Sequence, residues 1–159
     1  MRLLYLYGEE ITGKRAREIH TLNRVRSLAK AGVEVTLVTA SRERGITAES
    51  FLKSMGLEEK ERIHFQMFSR EWKIGSLSVK SSPYFYRQVG AWMENQAPFD
   101  VVYGIHLKAA AFIKKRFSRL PMIFEAHEVF SDAFDCRSWR YRKLCIDEQA
   151  VYKKVDGVV

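Results

Sequence analysis

Apolar runs of strand length alternate with helix-length amphipathic stretches along this chain, and that order predicts an α/β protein built on a parallel sheet. Two runs are the clearest, Phe99-Asp-Val-Val-Tyr-Gly-Ile-His106 and Pro121-Met-Ile-Phe-Glu-Ala-His127. Continuous apolarity of this kind marks strands covered on both faces. Right-handed crossovers between such strands give a Rossmann-like, doubly wound sheet with helices on both faces. Each run ends in a histidine. Ligands of open α/β sheets sit just beyond the carboxyl ends of the strands. His106 and His127 therefore fall where a site is expected.

Residues 2–7 form the first strand. A helix over about 13–31 follows, with Ile19, Leu22, Val25, Leu28 and Ala29 at helical spacing and Gly32 as its stop. Val33 to Thr39 is the second strand. Thr47 or Ser50 caps a short helix near 48–55 that Gly56 closes. Ile63 to Phe68 is the third strand, and 69–82 is a polar, Ser-rich connection holding an exposed Trp72. Ser82-Pro83 starts a helix that runs to about Asn95. A strand at 100–105, a helix at 107–118 and a strand at 121–126 come next. A loop over 128–136, a helix over 138–153 and a sixth strand from about 155 complete the order. That last strand reads as buried, so the chain resembles one half of something larger.

The chain has 159 residues, 47% of them apolar and 29% charged, which suits one globular domain with a real core. No run approaches the ~20 apolar residues of a membrane span. The start, Met-Arg-Leu-Leu-Tyr-Leu-Tyr, lacks the features of a signal peptide. Cys136 and Cys145 match no metal or redox spacing and read as reduced thiols of a cytoplasmic protein. The net charge of +8 favours an anionic partner. Lys114, Lys115, Arg116 and Arg119 answer a helix C-terminal dipole. Arg137, Arg140, Arg142 and Lys143 open a helix, where positive charge opposes the dipole.

The first strand-to-helix turn is Gly8-Glu-Glu-Ile-Thr-Gly13-Lys14-Arg15. It has the two glycines of a P-loop, but Arg15 replaces the hydroxyl that binds magnesium, and Glu9 and Glu10 repel phosphate. A nucleotide triphosphatase is excluded. Gly13, Lys14 and Arg15 either form a flexible lead into the helix or meet an anionic ligand at its N-terminus. His127, between Glu125 and Glu128, either satisfies loop backbone or orients and exchanges protons with a substrate. Metal spacing such as H-E-x-x-H is missing, so no metal is expected. His106 either packs at a helix start or does chemistry. No nucleophile elbow is present. No nucleic-acid motif is present either, so no nucleic acid is expected.

Several segments together resemble the N-terminal domain of the GT-B-fold retaining glycosyltransferases of family 4. They are Ile19-His-Thr-Leu22 through Leu28-Ala-Lys-Ala-Gly-Val-Glu-Val-Thr-Leu-Val-Thr39, Asp100-Val-Val-Tyr103, Pro121-Met-Ile-Phe-Glu125-Ala-His127-Glu128 and Asp156-Gly-Val-Val159. The resemblance implies that residues 1–159 are one Rossmann-like N-terminal domain and that a C-terminal nucleotide-sugar-binding domain is absent from this chain. It implies transfer of a sugar from a nucleotide-sugar to an acceptor with retention, no cofactor or metal, and an isolated chain without activity. The acceptor is a small-molecule sugar or a lipid-linked one. Its cleft is lined by Gly13, Lys14, Arg15, Tyr103, Glu125 and Glu128, with His127 or His106 as the catalytic group. The family often has Gly-Gly in the first turn, where this chain has one Gly13 and basic side chains. A cytoplasmic domain touching an anionic membrane at its inner face fits the charge. The competing reading is a stand-alone Rossmann or flavodoxin-like domain that binds an anionic ligand or partner.

Overall fold

The computed structural model describes residues 1–12, 14–41, 62–74, 77–126 and 129–159. The expected helix near 48–55 lies outside them, as do Gly13, His127 and Glu128. Strands β1 (Arg2–Leu6), β2 (Glu34–Ser41), β3 (Ile63–Ser69), β6 (Val101–Gly104), β7 (Met122–Phe124) and β8 (Gly157–Val158) make one sheet in the order β3-β2-β1-β6-β7-β8. Every pairing in it is parallel. The order reverses between β1 and β6, and a reversal in an open parallel sheet leaves a crevice at its carboxyl edge.

The central strands are apolar on both sides because helices cover both. Leu3, Tyr5, Val35, Leu37 and Tyr103 pack with Leu22 and Val25 of helix α1 (Ala16–Lys30). Leu4, Leu6, Val102, Met122 and Phe124 pack on the other face. There they meet helices α2 (Ser82–Glu94), α3 (Leu107–Arg116) and α4 (Trp139–Tyr152). Each such buried aliphatic side chain contributes about 1.5–3 kcal/mol. Ile19, expected on the inner face of α1, is 48% exposed; the buried stripe runs instead through Glu18, Thr21, Leu22 and Val25.

The stop signal at Gly32 acts as expected. Its φ is +91°, its N–H donates to the Ala29 carbonyl, and the Val33 N–H donates to Leu28. That is the paired-bond motif that closes a helix on a left-handed residue. Gly32→Ala is expected to lower stability by about 1 kcal/mol, read from the urea midpoint. Asp156 is likewise explained. Its carboxylate accepts from the Met122 N–H at 2.8 Å and from Lys114 Nζ at 3.0 Å. These bonds, the Met122 amide first, hold it below the usual carboxylate range.

Two expectations need correction. The connection 69–82 is not a loop. It contains an antiparallel hairpin, β4 (Glu71–Ile74) with β5 (Leu77–Lys80). Apolar and polar residues alternate along both strands, which suits a two-faced ribbon. The last strand is not buried either. β8 pairs only with β7 at the sheet edge, and Val158 and Val159 are 52% and 68% exposed.

Candidate functional site

At the reversal point, the chain leaving β1 turns at Gly8 with φ +57°. A Cβ there would lie 3.2 Å from His106 Cδ2 and 3.2 Å from the Tyr86 hydroxyl. Only glycine combines that backbone with that closeness. The result is a cleft of about 270 Å³, near the lower end of small-molecule sites. Gly8, Glu9, Arg70, Tyr86, His106 and Lys108 are among its lining residues. Acidic, basic and hydroxyl groups thus converge on one small volume. They share the lining with Leu107, Phe130 and Leu144, a mixture that suits a ligand with both hydroxyls and apolar faces.

His106 precedes the first turn of α3 and makes no side-chain cap there. Its ring meets the Tyr7 ring edge-on at 5.8 Å and bonds to the Tyr7 backbone carbonyl. Nε2 is buried and has no partner among the described residues. Burial pushes the imidazole down to about 4, Arg17 and Arg70 push the same way, and Glu9 opposes them. The ring is neutral at pH 7. With that bond to the Tyr7 carbonyl made, the buried Nε2 is left as an acceptor without a partner, in a side chain that lines the cleft. Burial also lifts the neighbouring Tyr86 phenol to about 12, so it stays a donor.

The turn ahead of α1 is built around Glu18. This buried carboxylate accepts from the backbone N–H groups of Thr12, Lys14 and Arg15 and from the Thr12 hydroxyl. Burial alone would raise its carboxyl; the bonds from Thr12, Arg15 and Lys14 outweigh it and hold it below the ordinary value. These amides are the donors that an anion at the helix N-terminus would use, and Glu18 already fills them. Lys14 and Arg15 offer only exposed side chains to a ligand, with Arg15 paired to Glu9 at 3.6 Å.

Tyr103 and Glu125 meet around Arg24, and neither is among the residues that line the cleft around His106. Arg24 donates to the Tyr103 hydroxyl at 3.0 Å and ion-pairs with Glu125. Tyr103 stacks on Tyr5 with centroids 4.9 Å apart. The expected site is therefore split between a cleft around His106 and an Arg24-centred cluster that ties α1 to the end of β7. Arg24→Ala is expected to cost about 2–3 kcal/mol, less than a fully buried pair because Arg24 is 35% exposed. Arg24→Lys recovers only part of this, since the shorter ammonium side chain loses the planar guanidinium that lies over the Tyr103 ring. Thermal denaturation of the two variants checks the order.

Gly8, Glu9, Arg70, Tyr86 and Lys108 were not singled out as site residues by sequence. The usable signal was Gly8 itself, a glycine directly after a central strand. The sequence profile of Glycosyltransferase Family 4 matches residues 18–159. The chain belongs to that family. No curated protein matches it. Among solved structures, the chain is similar to sucrose-phosphate synthase from Thermosynechococcus elongatus, with a TM-score of 0.66 and 12% identity. The match covers 99% of this chain and 42% of that one. At that identity the likeness shows a shared fold, a Rossmann-like half of the GT-B type. No described helix is long and apolar enough to cross a membrane.

Proposed function

We propose that this domain binds the acceptor of a sugar transfer, in the cleft between β1 and β6. The observation that carries the reading is the buried, unpartnered Nε2 of a neutral His106 at the reversal point. Nε2 receives the hydrogen of an acceptor hydroxyl and fixes its direction. Glu9 accepts from neighbouring hydroxyls, and Arg70, Tyr86 and Lys108 supply donors. His127 and Glu128, which follow β7 in sequence, are candidates for a second contact. The acceptor is a sugar, free or lipid-linked. The donor is a nucleotide-sugar held by a separate C-terminal domain, and transfer proceeds with retention and without metal. The 159-residue chain alone is inactive.

Equilibrium dialysis of this chain against a panel of nucleotide-sugars and of unactivated sugars tests the division of labour. Binding of unactivated sugars, weakened by His106→Ala, is expected. Tight binding of a nucleotide-sugar with none of its sugar acceptors would overturn the reading. It would favour the stand-alone binding domain for an anionic ligand.

A further inference from the structure

Three tryptophans are present, and they are used in two ways. Trp92 packs against the core beside Phe68 and Phe99. Trp72 and Trp139 are 48% and 68% exposed. Those two stand on elements that border the cleft. Arg70 and Ser82, at the feet of the β4–β5 hairpin, line one side; Leu144 and Asp147 of α4 line another.

Each bank carries more exposed apolar surface than its tryptophan. On the hairpin, Trp72 pairs across the strands with Val79, so the two share a face. Leu77 lies two residues from Val79 and points the same way. Leu77 and Val79 are 70% and 49% exposed. An isolated two-stranded ribbon gains little stability of its own, so leaving its apolar face in water is a cost without a structural return. On the α4 bank, Ile146 is 66% exposed and Phe134 39%. The shared face of Trp72, Leu77 and Val79 is an exposed apolar patch rimmed by charge, the kind of surface that marks an interaction site.

The surrounding charge selects the partner. Residues 70–87 hold Arg70, Lys73, Lys80 and Arg87 against the single acid Glu71. The start of α4 adds Arg137, Arg140, Arg142 and Lys143, with no acid in its first turn and no ion pair among the described residues. Asp132 and Asp135 offset part of this on the same bank. Around the cleft itself Glu9 and Asp147 face Arg70 and Lys108, so the positive excess lies on the hairpin and the start of α4. Cations beside an exposed indole are what an anionic bilayer surface binds, since the indole settles among the headgroups and the cations meet acidic lipid.

We propose that the β4–β5 hairpin and the start of α4 seat the mouth of the cleft on an anionic lipid bilayer, with Trp72 and Trp139 in the headgroup layer. The inference needs only this surface and stands apart from the transferase reading. A substrate embedded in that bilayer would then reach the cleft without crossing open water.

The test uses the 159-residue chain and phosphatidylcholine vesicles with and without phosphatidylglycerol. The expected result is co-sedimentation only with phosphatidylglycerol, falling as salt screens the charge. Brominated lipid should quench Trp72 and Trp139 and spare Trp92, so Trp72→Phe with Trp139→Phe removes the quenching. Leu77→Ser with Trp72→Ser should weaken binding roughly tenfold by removing buried apolar area. All these side chains are exposed, and the salt dependence of the unaltered chain needs no variant. Absence of binding to anionic vesicles at low salt overturns the proposal. So does quenching that persists without both exposed tryptophans. A dimer that dissociates in Trp72→Ser also overturns it, because a second copy would then be the occupant.

Discussion

Glu18→Ala is expected to destabilise the fold by about 3 kcal/mol. The side chain is fully buried and answers three backbone N–H groups and one hydroxyl. Alanine removes the acceptor from all of them at once. Water reaches the turn, because Thr12, Lys14 and Arg15 are exposed, so the loss is smaller than several orphaned donors in a dry core. Glu18→Gln keeps one acceptor oxygen in the same place and should lose about half as much. The contrast is Glu94, whose ion pair with Arg116 is half exposed; Glu94→Gln should cost about 0.5 kcal/mol or less. Urea midpoints of the three variants check the ranking. The pH sense follows from the depressed Glu18 carboxyl. Its contribution is complete above the unfolded carboxylate value and is lost as pH falls through the lower, folded one.

The second large effect is also acid-dependent and comes from His106. Its imidazole titrates at about 4 in the fold, below its ordinary 6.5. The unfolded chain therefore takes up a proton first as pH falls. Stability is complete above about pH 6.5, declines between 6.5 and 4, and levels off below 4, a total of about 3 kcal/mol. His106→Gln removes this slope while leaving the slope from Glu18 lower on the pH scale. Denaturation at stepped pH separates the two, and ring resonances of His106 report the titration itself. A His106 ring that titrates near 6.5 would mean that the imidazole is solvated and that Nε2 is not a buried acceptor without a partner.

The fold was legible because its central strands are apolar on both faces and its helices carry recognisable ends. Gly32 and the continuous runs before His106 and after Pro121 are local signals, and local signals survive in a sequence. The hairpin was written there too. Glu71-Trp-Lys-Ile74 and Leu77-Ser-Val-Lys80 alternate polar and apolar, but the serines around them suggested a loop. Glu18 was harder, since the residue it caps from is Arg15 instead of the Ser or Thr of a capping box. The Arg24–Glu125 pair joins residues 101 apart, and nothing in either neighbourhood names its partner. For the site, the strand ends pointed to His106, and that residue lines the cleft. That Tyr103 and Glu125 gather on Arg24 depended on which face each side chain takes and on α1 reaching across the sheet.

The most direct measurement is the map of backbone amide shifts of this chain during titration with a panel of free and phosphorylated sugars. Shifts concentrated at Gly8, Glu9, His106 and Lys108, and lost in His106→Ala, are expected of an acceptor site between β1 and β6. Saturable shifts that leave those residues unmoved and gather elsewhere on the sheet would contradict it.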